Sequence, residues 1–197
     1  MPDVWKLYET YARAFDRDRG RSLMERAYLE EVVATLKPNA RVMDLGCGAG
    51  DPIARFFIER GFDLTGVDAA PAMIAISKKR FPDAKWVVAD MRGLALQPRF
   101  DAVIAWDSFF HLSRNEQRAM FAVFAKHVTP GGVLLFTSGP RDGEVSGHLY
   151  GNELYHASLA PDEYRTLLAA SGFEVLRYRE EDPECGGHSV WFAQAVK

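Results

Sequence analysis

The spacing of apolar residues changes period near residue 40. Before it, Trp5, Tyr8, Ala12 and Phe15 recur every three or four residues, which predicts one face of a helix, broken by the charged "DRDRG" at 16–20. A second helix is predicted from "SLME", where Ser22 and Glu25 have the spacing of a capping box. Leu29, Val32, Val33 and Leu36 continue it until Pro38 stops it. From residue 40, short apolar runs alternate with helical patterns. "ARVMDLG" reads as a buried strand. Asp51 as N-cap and Pro52 at the first helical position then predict a helix over "IARFFIER", with Gly61 at its C-cap. "FDLTGVD", "AKWVVAD", "FDAVIAW" and "GGVLLFTSG" follow as strands. Between them lie the helices "PAMIAISKKRF" and "SRNEQRAMFAVFAKHV", the latter with a capping box at Ser113 and Glu116 and a stop at Pro130.

Apolar strands alternating with helices predict a parallel sheet covered on both faces. The end of the chain differs. After the helix "PDEYRTLLAASG", closed by Gly172, the strands "FEVLRYREE" and "HSVWFAQAV" are separated only by "DPECGG". No helix fits in that gap, so these two strands are predicted to be antiparallel neighbours. Residues 139–160 read as one long irregular segment, and a loop of that length in a compact domain is more often functional than idle.

Composition narrows the picture by exclusion. A chain of 197 residues suits one domain with a sizeable core. The net charge of -3 carries no broad electrostatic footprint for nucleic acid or an anionic membrane. No apolar run is long enough to span a bilayer, and the charged N-terminal segment lacks the apolar stretch of a secretory leader. Two cysteines, Cys47 and Cys185, suggest neither a disulfide framework nor a zinc site. The expectation is a cytoplasmic protein with no resident metal.

The candidate chemistry centres on "DLGCGAGDP", residues 44–52. Gly46, Gly48 and Gly50 make a G-x-G-x-G pattern. The dinucleotide fingerprint G-x-G-x-x-G would need its third glycine where Asp51 stands, and no G-K-[ST] follows to make a phosphate-binding Walker loop. Asp44, at the end of the first strand, sits poorly beside a pyrophosphate and well beside a cationic ligand.

"VMDLGCGAG" resembles the first motif, D/E-x-G-x-G-x-G, of the class I S-adenosylmethionine-dependent methyltransferases. The resemblance continues in order through "GVD" ending at Asp68, "VADM" (88–91), "FDAVIAWDSFFHL", "GGVLLFTSG" and the final strand pair. It extends to the small-molecule type, near the ubiquinone/menaquinone-biosynthesis-like group. The resemblance implies a doubly wound, Rossmann-like α/β fold with seven strands in the order 3-2-1-4-5-7-6, strand seven antiparallel. It also implies a single domain: a helical lid (1–38), a cofactor-binding half (39–138), an acceptor-site loop (139–160), and a C-terminal helix with the antiparallel pair (161–197). The implied activity is methyl transfer from S-adenosylmethionine to a small-molecule acceptor, leaving S-adenosylhomocysteine.

S-Adenosylmethionine has no phosphate; it carries an ammonium, a carboxylate, a sulfonium, a ribose diol and an adenine. Glycines 46, 48 and 50, with Cys47 between them, let the backbone approach the methionine end and the ribose. Asp44 favours the ammonium. Asp68 either accepts both ribose hydroxyls, with Ala69 beside it, or is a helix N-cap; its spacing from the glycines also occurs in NAD-binding folds. By the resemblance Asp90 takes the adenine amino group or is a turn residue, the Met91 backbone serves the ring, and Met73 packs on it or is plain core. Trp106 is placed near the adenine or the sulfonium, and Tyr11 and Arg19 from the lid over the cofactor, Arg19 being equally well a solvated surface charge.

At the acceptor end, Asp107 and His111 follow strand four. His111 is a candidate general base or a support for its loop. His148, Tyr150, Tyr155 and His156 either line an acceptor pocket or decorate a surface hairpin. Two other classes stay open: a nucleic-acid or protein methyltransferase, against which the missing [DN]-P-P-[FYW] signature counts, and a non-catalytic module that only binds the cofactor.

Overall fold

The computed structural model describes residues 3–197. Two helices, α1 (Trp5–Asp18) and α2 (Arg26–Thr35), precede β1 (Arg41–Leu45), α3 (Ile53–Ile58), β2 (Asp63–Asp68), α4 (Pro71–Arg80), β3 (Lys85–Val88) and β4 (Phe100–Ala105). After α5 (Arg114–His127) and β5 (Val128–Ser138) come β6 (Gly143–Leu149), β7 (Asn152–Ser158), α6 (Pro161–Ala170), β8 (Phe173–Asp182) and β9 (His188–Ala195).

The main sheet has seven strands in the order β3-β2-β1-β4-β5-β9-β8. The first five are parallel to one another, and β9 runs antiparallel to both β5 and β8. With the β6–β7 hairpin set aside this is the predicted order, and β9 is the antiparallel seventh strand. Central strands are buried on both sides, and their residues divide between two cores. One face packs Met43, Val103 and Phe136 against Phe121 and Phe124 of α5 and Tyr164 of α6. The other packs Val42, Ile104 and Leu135 against Leu29 of α2 and Phe57 of α3. This is why the strands read as continuous apolar runs.

Four local expectations need correction. The helix α1 runs through Asp18 because its charges are paired, Asp16 by Arg80 at 2.8 Å and Asp18 by Arg17 at 2.7 Å. Ser22 and Glu25 form no capping box: α2 begins only at Arg26, Glu25 occupies the N-cap position without a side-chain bond, and Ser22 is exposed. Asp51 does not cap α3; its Oδ2 is 2.9 Å from both Arg21 and Arg55, and its side chain is buried. The box at Ser113 and Glu116 does form.

The fourth correction concerns residues 139–160, which are not irregular. They hold the antiparallel pair β6–β7, joined by Tyr150 and Gly151, both at positive φ, as a tight hairpin turn requires. Glycines and polar residues together fill most of both strands, so no apolar run announces them. Tyr150 donates to Asp18 at 3.0 Å and Asn152 to the Tyr11 hydroxyl at 3.0 Å, which ties the hairpin to α1.

Candidate active site

A cavity of about 320 Å³ opens at the carboxyl ends of β1, β2, β3 and β4, the usual ligand position in such a sheet. The helix α1 and the start of β9 close it from the side. The β1–α3 loop forms its floor.

That loop turns its amides inward. The amides of Gly46 and Cys47 both donate to the Val67 carbonyl, at 2.7 and 3.0 Å, and that of Gly50 to the Cys47 carbonyl at 3.0 Å. The Gly48 amide donates to Asp68 Oδ2 at 2.9 Å. A phosphate-binding loop presents such amides to its ligand; here four are already engaged by the protein. The glycines do different work. A Cβ on Gly46 would lie 2.2 Å from the Ser108 Cβ, so its job is the close approach of two chain segments. A Cβ on Gly48 would meet nothing, because that position faces open space. Gly50 packs against Trp86 and does not line the cavity.

Asp44 and Arg19 face the cavity. Asp44 is buried, with neither a hydrogen bond to its carboxylate nor an ion pair among the described residues. Burial, with Asp68 and Glu25 adding repulsion and Arg19 opposing it, pushes its pKa up to about 7. Arg19 also makes no ion pair among the described residues; its guanidinium lies 5.6 Å from the Phe15 ring centre. An acid and a cation, each without a fixed partner, thus share one cavity.

Asp68 stands at the end of β2 and spans two backbone amides, Gly48 through Oδ2 and Ala70 through Oδ1 at 2.8 Å. It is not the N-cap of α4, which is Ala70 without a side-chain bond; its carboxylate instead holds the turn into that helix and lines the cavity. Burial raises its pKa against the pull of those amides. Ala69 lines the cavity beside it. Asp90 caps a short 3-10 turn over 91–93 and is held by Arg92, whose hydrogen bonds lower its pKa. Arg92 also pairs with Glu116 at 2.7 Å. Met91 and Met73 both reach the cavity, Met73 while fully buried in a small cluster with Ala12, Ala49 and Ala70. Cys47 lines the cavity, and burial pushes its thiol well above the usual range, which disfavours a thiolate there. Trp106 lines the cavity as part of the core, and its buried indole N–H has no partner.

The far side of the cavity is aromatic. His111 is doubly held: Nε2 is 3.0 Å from the Tyr8 hydroxyl and Nδ1 is 3.0 Å from the Tyr155 carbonyl. Burial pushes its pKa down to about 4. A ring with both nitrogens engaged supports its loop and is not poised as a free base. Asp107 follows β4 at φ 49, and its Oδ1 is buried without a hydrogen bond. His156 also lines the cavity. The remaining expected residues lie elsewhere. Tyr11 points to the hairpin, its ring 5.1 Å from that of Tyr150. His148 and Tyr150 are exposed on the hairpin, and Tyr155 contributes its carbonyl, not its ring. Sequence reasoning missed His188, brought to the cavity by the start of β9, and Ser108, whose hydroxyl donates to the Leu45 carbonyl at 2.7 Å. No spacing signal marks His188, because the antiparallel return of β9 places it. Among the described residues no cluster of His, Cys, Asp or Glu could hold a metal ion.

Comparison with known proteins agrees with this geometry. Residues 42–132 match a family model described as a methyltransferase domain. Built on this sheet and this loop, the chain has the architecture of a class I S-adenosylmethionine-dependent methyltransferase. It is 33% identical over 114 residues to a dTDP-3-amino-3,4,6-trideoxy-alpha-D-glucopyranose N,N-dimethyltransferase of Streptomyces venezuelae, covering 56% of this chain and 48% of that one. It is 28% identical over 151 residues to a trans-aconitate 2-methyltransferase of an Azoarcus species, covering 75% and 55%. The chain spans about half the length of the curated relatives it matches. Among solved structures, an amino pentose methyltransferase from Micromonospora echinaspora, with S-adenosylmethionine bound, superposes with a TM-score of 0.72 at 22% identity, covering 96% of this chain and 97% of that one. A Burkholderia thailandensis 1,6-didemethyltoxoflavin-N1-methyltransferase gives 0.75 at 20% identity, covering 98% and 87%. At such identities these likenesses concern the fold.

Proposed function

We propose that the protein transfers a methyl group from S-adenosylmethionine to a small-molecule acceptor. The observation that carries this is the pair Asp44 and Arg19: a buried carboxylate and a cation without fixed partners, facing one cavity. They complement the ammonium and carboxylate of a methionine moiety. The engaged amides of residues 46, 47, 48 and 50 argue in the same direction, since they leave little for a pyrophosphate.

In this reading Gly48 lets the ligand approach the loop and Asp68 accepts from the ribose diol with the lone pairs its two amides leave free. Ala69, Met73, Asp90 and Met91 border the adenine, with Asp90 first giving up part of its contact with Arg92. The bound group supplies a methyl on a sulfonium, already a good leaving group. What the chain must add is placement and exclusion of water. The helix α1 and the hairpin, both anchored over the cavity side, are proposed as that cover and as the walls of the acceptor site. A concave cavity with an aromatic wall supports a small acceptor over a polymer. The likeness to the ubiquinone/menaquinone-biosynthesis-like group belongs to the proposal as a likeness of motifs and assigns no acceptor. Two free cysteines support a reducing compartment such as the cytoplasm. No helix among the described residues is long and apolar enough to cross a membrane.

Calorimetry with S-adenosylmethionine, S-adenosylhomocysteine and NAD tests the reading. The first two are expected to bind and NAD is not; comparable NAD affinity overturns it. Methylated product from a panel of trial acceptors then separates an enzyme from a module that only binds.

A further inference from the structure

Beside the ends of β4 and β9, one carboxylate and one imidazole meet at the cavity with no assigned work. Asp107 Oδ1 is buried and accepts no hydrogen bond, and His188 Nε2 lies 3.3 Å from it without hydrogen-bond alignment. The residue is held in a left-handed conformation, φ 49, and its amide is fixed by the Thr137 hydroxyl at 2.9 Å. Strain and an orphaned buried oxygen at the mouth of a cavity are signs of a group kept for a ligand. The ring of His188 stacks on Phe110 at 5.9 Å and 22°, and His156 leans on the same phenylalanine at 5.2 Å.

The charge around this spot is one-sided. Of the lysines and arginines among the described residues, only Arg19 and Arg92 line the cavity. Arg92 is taken by Asp90 and Glu116, and Arg19 is the partner proposed for the methionine carboxylate. His111 and His156 are disfavoured as cations by burial. An acceptor presenting a carboxylate would meet Asp107, with only the His188 imidazole beside it and no lysine or arginine left to pair with. An acceptor presenting an ammonium would find a carboxylate that lacks only a donor.

We propose that Asp107 and His188 select the acceptor, and that the acceptor is an amine: its ammonium donates to Asp107 while His188 holds the carboxylate from the other side, and passing one proton to that carboxylate frees the nitrogen lone pair, which takes the methyl as the methyl–sulfur bond breaks to leave S-adenosylhomocysteine. This rests on the methyl-transfer reading above. It also divides the relatives, since one is named for methylating an amino sugar and another for methylating trans-aconitate, and it places this site with the former chemistry.

Three ring-matched probes test it: cyclohexylamine, cyclohexanol and cyclohexanecarboxylate, titrated near neutral pH into protein saturated with S-adenosylhomocysteine. The amine is expected to bind at least about tenfold more tightly than the carboxylate, as truncating or opposing a buried charge typically costs more than that. Asp107→Asn, which keeps the shape and tolerates a positive φ, is expected to lose about tenfold for the amine while its S-adenosylhomocysteine affinity stays within about twofold. His188→Gln is expected to weaken the amine less and to leave cyclohexanol unchanged. Equal or tighter binding of the carboxylate, or an Asp107→Asn variant that binds the amine normally, overturns the assignment. If S-adenosylhomocysteine itself does not bind, the methyl-transfer reading falls and this one with it. If it binds and the probes show no preference, only the choice of acceptor falls.

Discussion

Tyr8 donates its hydroxyl proton to Nε2 of His111, across 103 residues of sequence, at 3.0 Å. The direction follows from the other side of the ring. The Tyr155 carbonyl can only accept, so Nδ1 carries the proton and Nε2 is the lone pair. One neutral imidazole thus joins α1, the loop after β4 and the hairpin.

That neutrality predicts a pH effect on stability. His111 titrates near 4 in the fold, below its ordinary value of 6.5. Its contribution is therefore complete above about pH 6.5 and is lost as pH falls toward about 4, up to roughly 3 kcal/mol from the linkage relation. Urea unfolding of the native protein and His111→Gln should show a stability gap near neutrality that shrinks at acid pH. A gap independent of pH would mean that the ring is not held neutral.

Asp44 predicts proton release on binding. Its pKa stands near 7 in the free protein, above the usual carboxylate value, so the buried group holds a proton through the mildly acid range. A ligand ammonium favours the ionised form, and binding below about pH 7 must expel that proton. Affinity for S-adenosylhomocysteine should therefore fall as pH drops below about 7. Calorimetry in buffers of different ionisation enthalpy should count the proton, and Asp44→Asn should abolish both effects. Binding that stays flat with pH in the native protein would place the ammonium elsewhere.

Asp68 carries two loads, so its variants should separate. Asp68→Ala removes acceptors for the Gly48 and Ala70 amides as well as for the ligand, and charge-assisted bonds are each worth roughly 1.5–3 kcal/mol. It should lose most cofactor affinity and also some thermal stability. Asp68→Asn keeps one acceptor and should recover more stability than affinity. Equal recovery of the two, measured by thermal unfolding and calorimetry, would reduce Asp68 to holding the Gly48 and Ala70 amides.

Two glycines of the loop should respond oppositely to alanine. At Gly46 the added Cβ overlaps Ser108, in addition to the cost of φ 82, so the fold should lose about 2–5 kcal/mol from conformational strain and overpacking together. At Gly48 the Cβ meets nothing, so the stability cost should be only the conformational ~1–2 kcal/mol, and the loss should fall mainly on cofactor affinity. Denaturant unfolding and calorimetry on both variants check this. Similar stability losses would show that Gly48 is packed as tightly as Gly46.

The sequence alone determined the layered α/β plan, the strand order through its motif succession, the antiparallel end and the glycine-loop region. All but the strand order rest on local periodicity and on spacings within a few residues, which the chain displays directly; the strand order is what the family resemblance implied. Within the site it marked Asp44, Gly48, Asp68 and His111, all at the ends of readable strands or in the loops that leave them. The tertiary structure decided what spacing cannot carry. The β6–β7 hairpin is built mostly from glycines and polar residues, so only its pairing and its ties to α1 reveal it. Asp51 looked like a helix cap but is claimed by Arg21, 30 residues earlier, and by Arg55. His188 meets Asp107 from 81 positions away, because β9 returns antiparallel beside β5. Burial decided the rest: it raises the pKa of Asp44 and of Cys47, and burial is a property of the packed chain, written in no single stretch of it.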